Sequence, residues 1–268
     1  MNVKTSPLIS IITATYNSMK YFEDTKKSVL EGDVEDFEWI IVDDGSTDGT
    51  RKYLQEIDHP NIKLHFKSIN AGIEDSYRTG IELATGKYLL ILDHDDTIPL
   101  GSLSKRLDLL ESNPNALAAF GAVAYMDESG RIYKESRFPF VSDDCVLSSL
   151  FTLFGIFILP VYPLKQGCVV LRSSFVKNNP GLYDIQLFLQ AAKLGPVIFI
   201  KQACLNYRTF RTQFSSSRKM RLIRFFQFVW AKYAFKFLPW YISPFFAIYK
   251  TIPEFFKVLW SFVSSKRI

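Results

Sequence analysis

Three carboxylates and one histidine close an apolar run: Leu89-Leu90-Ile91-Leu92 leads directly into Asp93-His94-Asp95-Asp96. Carboxylates crowded at the end of a buried strand repel one another and lose hydration, so they persist only when hydrogen-bonded or facing a cation. Asp oxygens suit Mg2+ or Mn2+, and Mg2+ is commonly held by one or two carboxylates, with waters and substrate phosphates completing its shell. His94 tilts the preference toward Mn2+. A plain alternative is an acidic turn that caps the next helix, because Asp is favoured at caps and in first turns. On residue types alone, both readings stand.

The elements around this run decide between them. Leu8 to Ala14 is strand-like, Tyr21 to Glu31 helical, and Phe37 to Val42 a second strand. Thr47 to Ile57 reads as a helix capped by Ser46 or Thr47, and Ile62 to Lys67 as a third strand. Helix Glu74 to Ala84 leads through Thr85-Gly86 into strand Tyr88 to Leu92. Helix Leu100 to Ser112 stops before Asn113-Pro114, and Leu117 to Met126 is a strand ahead of the turn Asp127-Glu128-Ser129-Gly130. This alternation predicts an α/β fold with a mostly parallel sheet and crossover helices, whose ligands bind outside the carboxyl ends of the strands. Polar residues collect at those ends: Thr13-Ala14-Thr15-Tyr16-Asn17, Asp43-Asp44-Gly45-Ser46-Thr47-Asp48, Asn70-Ala71-Gly72 and the acidic cluster. Four polar strand ends on one sheet edge describe a site, and they favour the cation.

Those same stretches carry a family resemblance. Ile11 to Asn17, Trp39-Ile40-Ile41-Val42-Asp43-Asp44-Gly45-Ser46-Thr47-Asp48-Gly49-Thr50, Asn70-Ala71-Gly72 and Thr85 to Asp96, in this order and spacing, closely resemble the family 2 glycosyltransferases. The likeness covers the first 130 or so residues well and extends faintly to about residue 210. It implies a GT-A fold, a nucleotide-diphosphate sugar donor, a divalent cation and inversion at the anomeric carbon. On matching positions it implies that Thr15, Tyr16, Asn17 and Asp44 bind the donor's nucleoside. Asp93 would lie near the ribose or metal, and Asp95 would ligate the metal. Asp96 would cap the next turn, and His94 has no assigned role. Arg78 stands where many members carry a donor-contacting Arg; a local ion pair is its alternative.

An inverting transfer needs a base for the acceptor hydroxyl. The family supplies it from a Glu-Asp pair that opens a helix, and Tyr183-Asp184-Ile185-Gln186-Leu187-Phe188-Leu189 occupies that place. Asp184 is the candidate base and also a natural cap for a helix Ile185 to Leu194; Tyr183 and Gln186 depart from the family pattern. Tyr207-Arg208 resembles the Tyr-Arg near the end of the catalytic domain. The processive synthases' Gln-x-x-Arg-Trp signature is absent from the sequence, which favours single-sugar transfer.

The chain has 268 residues, of which 48% are hydrophobic and 15% aromatic, ample for a sizeable core. Cys145, Cys168 and Cys204 lack CxxC spacing, so neither a zinc site nor a disulfide framework is expected. Leu8 to Ala14 has no cleavage site after it and is read as a strand rather than a secretion signal. Charge is strongly divided: from Lys201 onward thirteen Lys or Arg face the single acid Glu254, a net of +12, whereas residues 1–200 carry −7. Arg218, Arg221, Arg224, Lys232 and Lys236 share one helical arc of about 120°, opposite Leu222, Ile223, Phe226, Val229, Trp230, Tyr233 and Phe237. Pro239, Pro244 and Pro253 break the remaining apolar stretch into short pieces. A basic, aromatic amphipathic helix of this kind predicts attachment to an anionic membrane surface; packing on the protein or on a second subunit is the alternative. Cys145 to Leu164 is uncharged but broken by Gly155, Pro160 and Pro163, so core packing beside an apolar acceptor pocket is expected there rather than a membrane span.

The expected organisation is a GT-A catalytic domain over 1–212, with a donor half of about 1–130 and an acceptor half of about 131–212, and a membrane-associating tail over 213–268. The expected setting is the cytoplasm, peripheral on the inner face of the cell membrane, with a glycan or lipid-linked acceptor and no nucleic-acid partner. Two rivals are a nucleotidyltransferase, which should carry a Gly-rich basic loop where this chain has Thr15-Tyr16-Asn17, and a non-catalytic nucleotide-sugar-binding or scaffold protein.

Overall fold

Strands β1 (Ile9–Thr15), β2 (Phe37–Asp43) and β4 (Tyr88–Ile91) are buried at every position. Such near-continuous burial belongs to the middle of a parallel sheet covered on both faces. β3 (Ile62–Phe66) instead alternates between half-buried and exposed residues, as an edge strand does. The computed structural model describes residues 6–136, 145–147, 165–182 and 185–210. Asp184, Tyr183, most of the uncharged segment after Cys145 and the basic tail lie outside the described residues.

Within them, nine strands form one sheet in the order β3-β2-β1-β4-β8 (Val169–Arg172)-β5 (Ala118–Met126)-β9 (Val197–Arg208)-β7 (Cys145–Leu147), with β6 (Ile132–Glu135) paired to β5. The first four are parallel, with Ile9 opposite Phe37 and Tyr88, and Trp39 opposite Ile62. Helices α1 (Phe22–Leu30), α2 (Thr50–Gln55) and α3 (Ile73–Leu83) connect them. The chain leaves β1 toward β2 and returns through α3 to β4 on the other side of β1, which makes the carboxyl ends of β1 and β4 the topological switch point. α3 reaches β1 closely because Gly80 carries no side chain: a Cβ there would lie 2.4 Å from Ile12 Cγ2.

Beyond β4 the sheet becomes mixed. β8 (Val169–Arg172) runs antiparallel to both β4 and β5 (Ala118–Met126), while β9 (Val197–Arg208) runs parallel to β5. β6 (Ile132–Glu135) and β7 (Cys145–Leu147) lie antiparallel to β5 and β9. Helices α4 (Ser102–Ser112), α5 (Ser173–Lys177) and α6 (Ile185–Leu194) complete the layers. Arg172 closes the carboxyl end of α4 by donating to the carbonyls of Leu110, Asn113 and Ala116 at 2.6, 3.1 and 2.7 Å. At the opposite edge from the switch point, buried Glu38 accepts from Ser10 Oγ, Thr85 N and Gly86 N and pairs with Lys63. Burial pushes its carboxyl up, but Lys63, Ser10 and Thr85 outweigh that and hold it at about 2.

Two expectations need correction. The second helix begins at Thr50 rather than Thr47, because Ser46 bonds Asp43, Thr47 N donates to Asn17, and Asp48 accepts from Thr50 N instead. α4 begins at Ser102 after Gly101, whose φ of 77° is outside the helical range. Cys145, Cys168 and Cys204 are not joined in disulfides, and burial pushes Cys168 up to about 12, an inert thiol. No helix among the described residues is long and apolar enough to cross a membrane.

Candidate active site

Each polar strand end contributes a distinct piece. After β1, Asn17 sits in the left-handed region at φ 51°, a conformation Asn tolerates. There it ties the first two strand ends together: its N–H donates to Ser46 Oγ at 3.0 Å and its Oδ1 accepts from Thr47 N at 2.9 Å. Thr15 is buried and donates to Asp43 Oδ1 at 3.2 Å, while the Tyr16 ring is 46% exposed at the edge. An exposed aromatic at the mouth of a crevice can stack a flat base.

After β2, Asp43 and Asp44 are both buried and both compensated. Asp43 accepts from Ser46 N at 3.2 Å and receives Arg51 Nε and Nη2 on one oxygen, each at 3.1 Å. Asp44 accepts from Ala71 N at 3.0 Å and Gly72 N at 2.7 Å, and pairs with Lys67 at 3.2 Å. Burial pushes the Asp44 carboxyl up, and these three donors more than reverse it, holding it below the ordinary carboxylate range. Asn70-Ala71-Gly72, after β3, thus serves to grip Asp44.

The cluster after β4 is different in kind. No Lys or Arg side chain among the described residues pairs with Asp93, Asp95 or Asp96. Asp93 Oδ1 is held only by neutral donors, the Tyr77 hydroxyl and Gln166 Nε2, the latter at 2.6 Å. Asp95 has no side-chain partner for its carboxylate among the described residues; burial and the charge of Asp93 push it up, against the opposing effect of His94. Asp96, expected to cap the next turn, instead turns its carboxylate to β9. It is 1% exposed, accepts the Arg208 N–H at 2.9 Å, and burial together with Asp93 and Asp95 pushes it well up.

The acidic loop is secured from beneath. Arg208, itself buried, donates through Nε to the Asp95 carbonyl at 2.9 Å and pairs with Asp24 at 2.6 Å. Thr97 and Asn206 exchange backbone bonds at 3.1 and 2.9 Å, and Thr25 Oγ lies 2.8 Å from the carbonyls of both His94 and Asp96. The loop therefore presents Asp93 and Asp95 as fixed oxygen donors. Among the described residues no group of three or more His, Cys, Asp or Glu forms a metal cage. Two carboxylates without a cation fit a metal whose remaining ligands come from water and substrate phosphate.

Residues 10–167 match the sequence family described as Glycosyl transferase family 2. This chain belongs to that family. It is a glycosyltransferase, 28% identical over 217 residues to a Bacillus subtilis (strain 168) protein assigned as the teichuronic acid biosynthesis glycosyltransferase TuaG, covering 79% of this chain and 83% of the relative. It is 27% identical over 208 residues to the chondroitin synthase of Escherichia coli, covering 76% of this chain but spanning only 29% of that larger protein. The fold matches the crystal structure of S. aureus TarS 1-349 in complex with UDP-GlcNAc, with a TM-score of 0.68 at 18% identity, over 93% of this chain and 72% of the other.

In this glycosyltransferase Arg78 lies on α3, 63% exposed and paired with Asp75 one turn away. Thr15, Tyr16, Asn17, Asp44, Asp93 and Asp95 do share the carboxyl edge of the sheet. Sequence reasoning misses Lys67, Tyr77 and Gln166. Lys67 directly follows the last residue of β3, ahead of the polar Asn70-Ala71-Gly72 that marks this strand end. Tyr77 shares the buried face of α3 with Ser76 and Gly80, and so reads as core. Gln166 gives no local signal, because its partners are 89 and 73 residues away.

Proposed function

We propose that this chain is a metal-dependent, inverting glycosyltransferase that moves a sugar from a nucleotide-diphosphate sugar to an acceptor hydroxyl, in the synthesis of a cell-surface polysaccharide or lipid-linked glycan. The observation that carries this reading is the pair Asp93 and Asp95, carboxylates at the switch point that lack a cationic partner among the described residues. Thr15, Tyr16, Asn17 and Asp44 hold the donor's base and ribose, and Arg78, on the neighbouring helix, contacts the donor. Asp95, with Asp93 beside it, would hold Mn2+ or Mg2+. When bound, the cation neutralises charge that develops on the departing nucleoside diphosphate. Asp184, the residue before α6 in the chain, takes the proton of the acceptor hydroxyl as its oxygen bonds the anomeric carbon. The bond to the diphosphate breaks on the opposite face, which inverts the centre.

The teichuronic acid and chondroitin names of the relatives support a polysaccharide product, and the UDP-GlcNAc bound by TarS supports a nucleotide-sugar donor. The basic amphipathic pattern from Arg218 supports peripheral attachment to anionic lipid on the cytoplasmic face of the membrane, with residues 1–212 as the catalytic domain. The test is release of nucleoside diphosphate from a panel of nucleotide sugars with Mn2+, in the wild type and in Asp95→Ala and Asp184→Asn. Both variants are expected to lose transfer; wild-type rates in both would overturn the mechanism.

A further inference from the structure

Asp93 is set by a closed ring of neutral hydrogen bonds that crosses from one half of the sheet to the other. The Tyr77 hydroxyl donates to Asp93 Oδ1. Gln166 Nε2 donates to the same oxygen at 2.6 Å and to the Tyr77 oxygen at 2.6 Å. The phenol gives its one proton to the carboxylate, and one proton of the Gln166 amide is shared between the phenol oxygen and the carboxylate oxygen, which lie side by side as seen from the nitrogen. All of this falls on Oδ1, leaving Oδ2 without a partner among the described residues.

The ring stands on rigid supports. Tyr77 is buried on α3, the helix drawn against β1 at Gly80. Gln166 opens the 3-10 turn Gln166–Cys168, which leads straight into β8. At the next residue a Cβ on Gly167 would lie 2.6 Å from Leu205 Cδ1, so the turn is pressed onto β9. The Gly167 carbonyl accepts from buried Arg106 Nη1 at 3.3 Å, and Cys168 Sγ donates to the Lys165 carbonyl at 2.9 Å. A glutamine on such a turn has little freedom to swing away.

We infer that Tyr77 and Gln166 are positioning residues that fix the Asp93 carboxylate, locking one oxygen and leaving the other for the metal or ribose. The inference rests on the donor and metal reading of Asp93 and Asp95. The choice of donors follows from the charge: a Lys or Arg at either position would neutralise Asp93 and compete with the cation, whereas a phenol and an amide orient it and leave its charge in place.

The experiment titrates Mn2+ against the full chain by electron paramagnetic resonance, alone and with each common nucleoside diphosphate, for wild type, Tyr77→Phe and Gln166→Met. Both replacements keep approximate size and remove the hydroxyl of one residue or the amide of the other. Each is expected to weaken Mn2+ binding roughly tenfold, the usual effect of removing an outer partner of a metal ligand, with the melting temperature retained. The donor KM should rise by a similar factor, with kcat moved less. Mn2+ affinity within about twofold of wild type in both variants, whether or not melting falls, would overturn the inference while leaving the metal reading intact. A wild-type chain that binds no Mn2+ under any of these conditions would overturn both.

Discussion

The ends of β2 and β4 place carboxylates on the same sheet edge, buried at Asp43 and Asp44 and half-buried at Asp93 and Asp95, and treat them in opposite ways. Asp43 and Asp44 each have a cation, Arg51 and Lys67, and backbone N–H groups besides. Asp93 has only neutral donors, and the Asp95 carboxylate has no side-chain partner among the described residues. A compensated buried carboxylate braces the loops around it, whereas an uncompensated one raises the energy of the folded chain unless a ligand arrives. Burial alone therefore does not separate an acid open to a cation from one that already has its own. The charge of what surrounds it does.

The sharpest way to break this contrast is Asp95→Ala. Transfer is expected to fall roughly a thousandfold, about 4 kcal/mol of lost transition-state stabilisation, while the melting temperature without metal holds or rises. A clear drop in melting would mean that Asp95 braces the fold as Asp43 does. The converse variant, Asp43→Ala, should lower stability by about 3 kcal/mol, because it removes the acceptor of the Thr15 hydroxyl, the Ser46 N–H and Arg51 Nε together; denaturant unfolding measures it. If Asp43→Ala kept full stability and lost activity, the division between the two strand ends would fail.

Glu38 sharpens the comparison through pH. Its folded carboxyl lies at about 2 against an ordinary 4.5, so its stabilisation is fully present above about 4.5 and is lost as pH falls toward 2. At neutral pH Glu38→Gln should cost about 3 kcal/mol, and the gap between variant and wild type in chemical denaturation should close across that acid window. A gap that stayed constant from neutral pH to 2 would remove Glu38 from the compensated class. The smallest effect is expected at Arg78: its exposed pair with Asp75 should contribute within about 0.5 kcal/mol to stability. Arg78→Ala should therefore leave melting nearly unchanged, and a raised donor KM would identify the arginine as a donor contact.

Much of the donor half is legible in the sequence because its signals are local. The runs at Leu8 to Ala14 and Leu89 to Leu92, each followed at once by polar residues, give both the strands and the edge at which the polar ends gather. The helix start after β2 misleads because Ser46 and Thr47 are good caps in isolation, yet Asp43 and Asn17 compete for the same groups. The role of Asp96 is hidden for a related reason: its partner is a backbone N–H at Arg208, 112 residues away. The antiparallel insertion of β8 between β4 and β5 is equally hidden, since a four-residue strand carries no mark of its neighbours. Local chemistry can be read along the chain; pairing across long separations cannot.

That long separation also governs when the site comes into being. Arg208 N, Arg208 Nε and Asn206 are the groups that seat the acidic loop, and they come from the carboxyl end of β9. During synthesis the first four strands can pair well before this segment leaves the ribosome, because their contacts are shorter in range. The carboxylates would then be present without their seat. The final geometry of the acidic loop thus arrives late, with the docking of β9, so the growing chain carries the polar strand ends before it carries them in their finished arrangement.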